Sequence, residues 1–134
     1  MDRKRQETTP AALTKAVRFD TLTVMVYDRA KHWSPTLTRG QARDVLAAVL
    51  RRLYDAGGGQ LATAEFILTQ GVLAQELRLS RQWLGVLLTR LQAAEWIVFE
   101  GAGGAATLLR AGPQLVQVEH LLREDAHAGV HTGG

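Results

Sequence analysis

The chain has 134 residues, of which 46% are hydrophobic and 6% aromatic, and its formal net charge at pH 7 is +3. This length suits one domain with a modest core of leucine, valine and alanine. The absence of cysteine excludes disulfides and thiolate metal sites. The small positive charge is compatible with a polyanionic partner but does not require one.

The N-terminal residues 1–12 are polar and have nothing to bury, so they are predicted to be a disordered arm. Arg3, Lys4 and Arg5 leave a second interpretation open, in which this arm contacts DNA phosphates. No apolar stretch follows the basic start, which argues against a secretory signal. No apolar run approaches the roughly 18–20 residues of a membrane span. The sequence therefore predicts a soluble intracellular protein.

Residues 13–33 have a pattern that fits two structures. Their run LTVMVY is β-branched enough for a strand, but several positions also share one face of a helix. A helix is favoured because YDRAKHW follows without a turn signal, and Ser34-Pro35 then ends it. The positions on the helical face are Leu22, Met25, Val26, Arg29 and Ala30.

Residues 38–55 show the clearest helical pattern, with apolar side chains at spacings of three and four. Thr38 and Gln41 are predicted to form a capping box, and the glycines at 57–59 end the helix. Residues 60–68 are weakly determined, although their run EFIL permits a short strand. The predicted core positions of the helix are Ala42, Val45, Leu46, Val49, Leu50 and Leu53.

The segment TQGVLAQELRLSRQWLGVLLTRLQAAEWI predicts two short helices joined by a tight turn. Thr69 caps the first helix, which ends near Leu77, and Ser80 caps the second, which ends near Ala94. This arrangement is typical of a helix-turn-helix. The predicted core side consists of Leu73, Ala74, Leu77, Leu84, Leu87, Leu88 and Leu91. The outward side of the second helix consists of Arg81, Gln82, Gly85, Val86, Thr89 and Arg90.

A β-hairpin, or wing, is predicted at residues 97–111, with WIVFE as one strand, GAGG as the turn and AATLLRAG as the returning strand. GAGGAA after a strand also imitates a dinucleotide-binding fingerprint. That interpretation is rejected because the segment that follows is too short for the required helix and ends at Gly112-Pro113.

Pro113 starts a last predicted helix, and residues 125–134 are predicted to be a disordered tail. The predicted fold class is mainly α (α+β), a winged helix-turn-helix with an extra N-terminal helix. Residues 13–124 form this single domain, with the helix-turn-helix at 69–96. The apolar positions of the last helix are Leu115, Val118, Leu121 and Leu122.

About three-fifths of the chain, from about residue 42 to about residue 122, resembles the C-terminal winged-helix DNA-binding domain of the Crp/Fnr family of bacterial transcription regulators. The resemblance is carried by the LTQ…LA lead-in, by Ser80-Arg81, by the leucines of the second helix and by the WI that enters the wing. Only about 40 residues precede the first clear helix, too few for that family's nucleotide-binding β-roll. No effector and no cofactor are therefore predicted.

The resemblance implies phosphate contacts for Thr69, Gln70, Ser80 and Arg90, helped by the N-terminal ends of the two helices, and base contacts for three further residues. Arg81 matches an arginine that binds guanine through two hydrogen bonds, and Gln82 replaces a glutamate that accepts from cytosine, which shifts the preference to adenine. Val86 replaces a second base-reading arginine and can contact a thymine methyl group. The complete predicted DNA-binding set is Thr69, Gln70, Ser80, Arg81, Gln82, Trp83, Gly85, Val86, Thr89, Arg90, Gly103 and Gly104.

Two positions depart from the family pattern. Arg78 and Glu95 replace the glycines that end the two helices. A non-glycine residue in a left-handed conformation costs about 1 kcal/mol, so the turn at Arg78 is predicted to be built differently. Trp83 is expected to pack over a neighbouring helix, with stacking on DNA as the alternative. Trp96 is expected in the core, and Trp33 is expected to anchor the N-terminal helix or a dimer.

These patterns predict sequence-specific binding of double-stranded DNA by a small bacterial, plasmid or phage regulator, acting as a cytoplasmic, nucleoid-associated homodimer. Residues 13–33 are the candidate dimer element. Two alternatives remain: an accessory protein of replication or DNA transfer, and a winged helix that contacts only proteins. An enzyme is not predicted because no residues are placed as a catalytic triad. His127 and His131 lack further metal ligands.

Overall fold

The structure, a computed structural model, describes residues 17–100 and 106–133, with side chains as far as Glu124. Within these ranges the chain is mixed α+β, with five α-helices, one 3-10 helix and a three-stranded antiparallel sheet. The basic arm and the wing-turn glycines Gly103 and Gly104 lie outside the described residues. The elements are α1 (Phe19–Trp33), the 3-10 helix (Pro35–Thr38), α2 (Gly40–Ala56), β1 (Glu65–Thr69), α3 (Gln70–Leu77), α4 (Arg81–Ala93), β2 (Ile97–Glu100), β3 (Ala106–Ala111) and α5 (Pro113–Gly133).

Helix α2 lies at the centre of the core. All six of its predicted core positions are buried, which confirms the helical periodicity. The predicted capping box is wrong, because the helix begins at Gly40 after Arg39, and no side chain caps it. Thr38 belongs to the 3-10 helix instead, where its hydroxyl donates to the carbonyl oxygen of Pro35 at 2.7 Å.

Helix α1 confirms the helical interpretation of residues 13–33 from Phe19 onward. Leu22, Val26 and Ala30 are buried in the core of the same chain, and the helix ends before Ser34-Pro35 as predicted. Its apolar face is therefore already covered within the protomer. Its large exposed apolar side chains are Val24, at 67% exposure, and Trp33, at 65%.

The sheet has the strand order β1-β3-β2, and both pairs are antiparallel. The predicted hairpin strands pair with Phe99 opposite Leu109. The run EFIL forms β1, which adds to the hairpin with Phe66 opposite Leu109. Just before β2, Trp96 is fully buried, as expected, and its indole nitrogen donates to the Ser34 hydroxyl at 3.2 Å.

Both helices of the α3–α4 pair end in a left-handed residue that is not glycine. Arg78 has φ 59° and Glu95 has φ 68°. Arg78 closes α3 through hydrogen bonds from its own N–H to Gln75 and from Leu79 N–H to Ala74. The prediction of a differently built turn at Arg78 is therefore wrong. The turn keeps the left-handed conformation because these backbone bonds offset the local steric cost.

Replacing Arg78 or Glu95 by glycine is expected to stabilise the protein. Each change removes a left-handed penalty of about 1–2 kcal/mol, and the extra freedom of glycine in the unfolded chain offsets about half of it. Urea unfolding should show a gain of about 0.5–1 kcal/mol for each variant. Arg78→Val is the opposing control and should lower the stability, because a β-branched side chain tolerates positive φ poorly. A lower stability for both glycine variants would contradict this account.

Helix α5 is longer than the sequence predicts, since it continues to Gly133 instead of ending near Asp125. Leu115, Val118 and Leu122 are buried as predicted, whereas Leu121 is 36% exposed. Among the described residues, no helix is long and apolar enough to cross a membrane.

Glu119 is a buried carboxylate that ties α5 to the loop before β1. Its side chain is within the core at 4% exposure. One carboxylate oxygen accepts from the N–H of Leu61 at 2.8 Å, and the other accepts from Ala62 at 3.0 Å. Arg123, one turn later on the same helix, donates to it at 3.2 Å. These bonds fix a loop whose structure the sequence left undetermined.

Candidate nucleic-acid interface

Helix α4 has one buried and one exposed side, as its sequence predicts. Leu84, Leu87, Leu88 and Leu91 are buried. The outward side is exposed except at Gly85, which is intermediate, and it carries the six predicted residues Arg81, Gln82, Gly85, Val86, Thr89 and Arg90. Helix α3 precedes α4 by three residues and packs against it, so the exposed side is held on a rigid pair of helices.

The start of α4 is fixed by side-chain contacts. The hydroxyl of Ser80 accepts from the Trp83 N–H at 3.0 Å, which confirms the predicted cap. The Trp83 indole donates to Gln41 of α2 at 2.7 Å, and the Arg90 guanidinium lies 5.4 Å from the indole ring centroid. Trp83 therefore packs between helices, the favoured of its two interpretations. Its ring also supports Arg90 through a cation–π contact.

Two of the predicted phosphate-contacting residues behave differently from expectation. Thr69 occupies the N-cap position of α3, but its side chain makes no capping hydrogen bond. Gln70 donates its amide to the buried Thr107 hydroxyl at 3.0 Å, which ties α3 to β3. Gln70 is therefore already engaged within the fold. Ser80 and Thr69 remain exposed at the N-terminal ends of the two helices.

Several exposed arginines at the start of α2 and on the α3–α4 pair lack an ion pair. Five exposed arginines have no carboxylate partner among the described side chains: Arg39, Arg43, Arg78, Arg81 and Arg90. The Arg43 guanidinium lies 5.4 Å from the centroid of the Tyr27 ring. Arg39 occupies the N-cap position of α2, two residues before Gln41, which contacts Trp83. Arginines paired with a carboxylate within about one turn or across a strand pair are Arg18, Arg51, Arg110 and Arg123. Exposed guanidinium groups without a carboxylate partner can bind phosphates.

A shallow apolar groove lies along β1 and the start of α3, and Thr69 is one of the residues that line it. Ile67 of β1 is 62% exposed and Val72 of α3 is 52% exposed. Together with Phe66, they line a groove of about 180 Å³ whose rim includes Arg52. Arg52 forms an ion pair with Glu76 at 2.5 Å, so its guanidinium already has a carboxylate partner.

Sequence reasoning missed the contact between Gln41 and Trp83 and the place of Arg39 beside it. The two partners are separated by 42 positions, and no local periodicity reports a contact over that distance. The capping box that used Gln41 assigned its side chain to the wrong neighbour.

Comparison with protein-family models, with curated proteins and with solved structures finds no match to this chain. The described side chains contain no group of three or more histidine, aspartate or glutamate residues that could hold a metal ion. The exposed side of α4, with its unpaired arginines, is therefore the surface from which a function is inferred.

Proposed function

We propose that this protein binds double-stranded DNA in a sequence-specific manner, as a small bacterial, plasmid or phage transcriptional regulator. In this proposal the chain is a winged helix-turn-helix, α4 enters the major groove and the β2–β3 hairpin is the wing. The resemblance to the Crp/Fnr DNA-binding domain stays a prediction that supports this choice.

The observation that carries the proposal is the charge on the side of α4 that the fold leaves open. Arg81 stands in the first turn of α4, and Arg78 lies in the turn before it. Arg90 is about two and a half turns further along, at the other edge of the exposed side, and is supported by the Trp83 ring. Guanidinium groups at such positions can bind phosphates or the edge of guanine, and a helix of this width fits the major groove.

A single recognition helix covers only a few base pairs, so the proposal includes a homodimer that binds two half-sites. The exposed side chains of α1, Val24 and Trp33, are its candidate contact. The proposed location is the cytoplasm, on the nucleoid. An accessory protein of replication or DNA transfer would use the same surface, and the genomic position of the bound site separates it from a regulator.

A second candidate function is a domain that contacts only proteins. The groove at Ile67 and Val72 favours it, because exposed apolar side chains beside an edge strand can receive an extended segment. A protein-only domain would bind no duplex at low salt, whereas the proposed regulator would.

In vitro selection from random duplexes, at about 50 mM salt, tests the proposal. We expect enrichment of one motif, with two copies about one helical turn apart if the dimer forms. Fluorescence anisotropy with the enriched duplex and with a scrambled one of equal length measures the preference. Selection that enriches no motif would overturn sequence-specific binding, and a random duplex pool that is not bound at all would overturn DNA binding itself.

A further inference from the structure

The middle of the exposed side of α4 is apolar, although charged residues stand at both ends. Thr89 lies four residues after Gly85 and three after Val86, the spacings at which helix positions are neighbours. We name Gly85, Val86 and Thr89 the apolar turn. Arg81 and Gln82 precede it, and Arg90 follows. The apolar turn would therefore lie in the middle of the contact when the exposed side of α4 binds a partner.

Gly85 has no structural reason to be glycine. It lies inside an α-helix, where glycine is less favourable than alanine. A Cβ atom at this position would meet nothing within 4 Å, so alanine would fit the free protein without any adjustment. The open space above Gly85 is consistent with a bound surface that approaches the helix backbone closely.

Thr89 presents its methyl group on the exposed side of α4, whereas its hydroxyl is hydrogen-bonded within the helix. The Thr89 hydroxyl donates to the carbonyl oxygen of Gly85 at 2.9 Å, one turn back in the same helix. Its methyl group is the part of the side chain that does not engage the backbone. Val86, which is 38% exposed, adds two methyl groups beside it. The apolar turn thus offers methyl groups and lacks a side-chain donor directed outward.

We propose that the apolar turn recognises thymine methyl groups in the major groove. This inference rests on the proposed function and names the bases read by that same surface. Only thymine presents a methyl group there, and valine or threonine methyl groups can pack against it. An A·T pair and a G·C pair both present hydrogen-bonding atoms at this place, so the expected preference comes from the methyl group that thymine carries and cytosine lacks.

The preferred half-site therefore contains A·T pairs under the centre of α4, next to a guanine bound by Arg81. Gly85 allows the helix to lie close enough for methyl-to-methyl contact, at the usual carbon–carbon distance of about 3.5–4.0 Å. Thymine recognition at this place thus depends on three neighbouring residues instead of on Val86 alone.

Replacing thymine by uracil tests this inference, because uracil lacks only the methyl group and keeps every hydrogen-bonding atom. Each thymine of the selected duplex is changed in turn, and the Kd is measured by fluorescence anisotropy at one fixed salt concentration. We expect one or two positions at which affinity falls about threefold to tenfold, the effect of losing one buried methyl group. Other positions should change less than about twofold, because they lack this contact.

Val86→Ala identifies the protein side of the contact. The variant should lose most of its sensitivity to uracil at the same positions, which a double-mutant cycle measures directly. Leu121→Ala is the matched control, because Leu121 lies on α5 and is 36% exposed, nearly as much as Val86, and the uracil sensitivity of this variant should equal that of the wild type. Gly85→Ala should raise the unfolding midpoint and weaken binding by about tenfold or more, since its methyl group would fill the contact.

The inference is overturned if wild-type protein binds the selected duplex and no uracil substitution changes the Kd by more than about twofold. It is also overturned if Val86→Ala keeps the wild-type sensitivity. In both cases the proposed function stands, because the duplex is still bound. If no duplex is bound at all, the proposed function fails and the inference fails with it.

Discussion

Arg81→Ala is expected to lower the affinity for the selected duplex by about tenfold to a hundredfold. The affinity for a scrambled duplex should fall only by the small amount that the loss of one positive charge causes. A two-bond contact between arginine and guanine contributes about 1–3 kcal/mol of discrimination. Arg81 is exposed in the first turn of α4 and makes no ion pair among the described residues, so the variant should fold normally. Anisotropy titrations with both duplexes measure the two affinities.

Two controls separate base recognition from charge. Arg81→Lys keeps the charge but lacks the planar pair of donors, so it should retain scrambled-duplex affinity and lose most of the preference. Arg18→Ala removes an exposed arginine next to Val17, whose carbonyl oxygen accepts from Tyr54 in the last turn of α2. Trp83 contacts the opposite end of α2, so Arg18→Ala should bind both duplexes like the wild type. An equal loss for both duplexes in Arg81→Ala would contradict base recognition.

Glu119→Ala is expected to lower the free energy of unfolding by about 2–3 kcal/mol. The change removes a buried carboxylate that accepts from the N–H groups of Leu61 and Ala62 and pairs with Arg123. Hydrogen bonds to a charged group contribute about 1.5–3 kcal/mol, and a donor left unsatisfied in the interior adds to the loss. Urea unfolding followed by circular dichroism measures the change.

Glu124→Ala is the matched control for Glu119→Ala. Glu124 lies on the same helix, pairs with His120 and is 62% exposed. Exposed ion pairs contribute little, so its removal should change the stability by less than about 0.5 kcal/mol. Glu119→Gln keeps one acceptor but turns an amide NH₂ toward a backbone donor. Its loss of unfolding free energy should lie between the losses of Glu124→Ala and Glu119→Ala. If Glu119→Ala matched Glu124→Ala, the loop before β1 would be held by other contacts.

The parts of the fold that the sequence predicts are those set by local periodicity. The buried side of α2 and the leucines of α4 follow from apolar spacing, and the Ser80 cap follows from the residue type and its position. The same applies to the exposed side of α4, because the residues between the leucines can only face outward. These features need no knowledge of distant contacts.

The features that the sequence did not predict depend on contacts between distant positions. The hydrogen bonds of Glu119 span 57 and 58 positions, and the bond between Gln70 and Thr107 spans 37. Local propensity cannot indicate these bonds, because tertiary packing decides them. The left-handed Arg78 is a separate case, since it contradicts the local preference for glycine but is held by local hydrogen bonds at the end of α3.

The salt dependence of binding to the selected duplex tests the central claim most directly. If Arg39, Arg78, Arg81 and Arg90, which lie on the α3–α4 pair or beside Gln41, neutralise phosphates or lie in the groove, each protomer releases about four counterions. The Kd should then rise about a hundredfold between about 50 and about 200 mM salt, and more for a dimer on two half-sites. A Kd that stays constant over this range, or the absence of duplex binding at about 50 mM salt, would contradict a DNA-binding surface on α4.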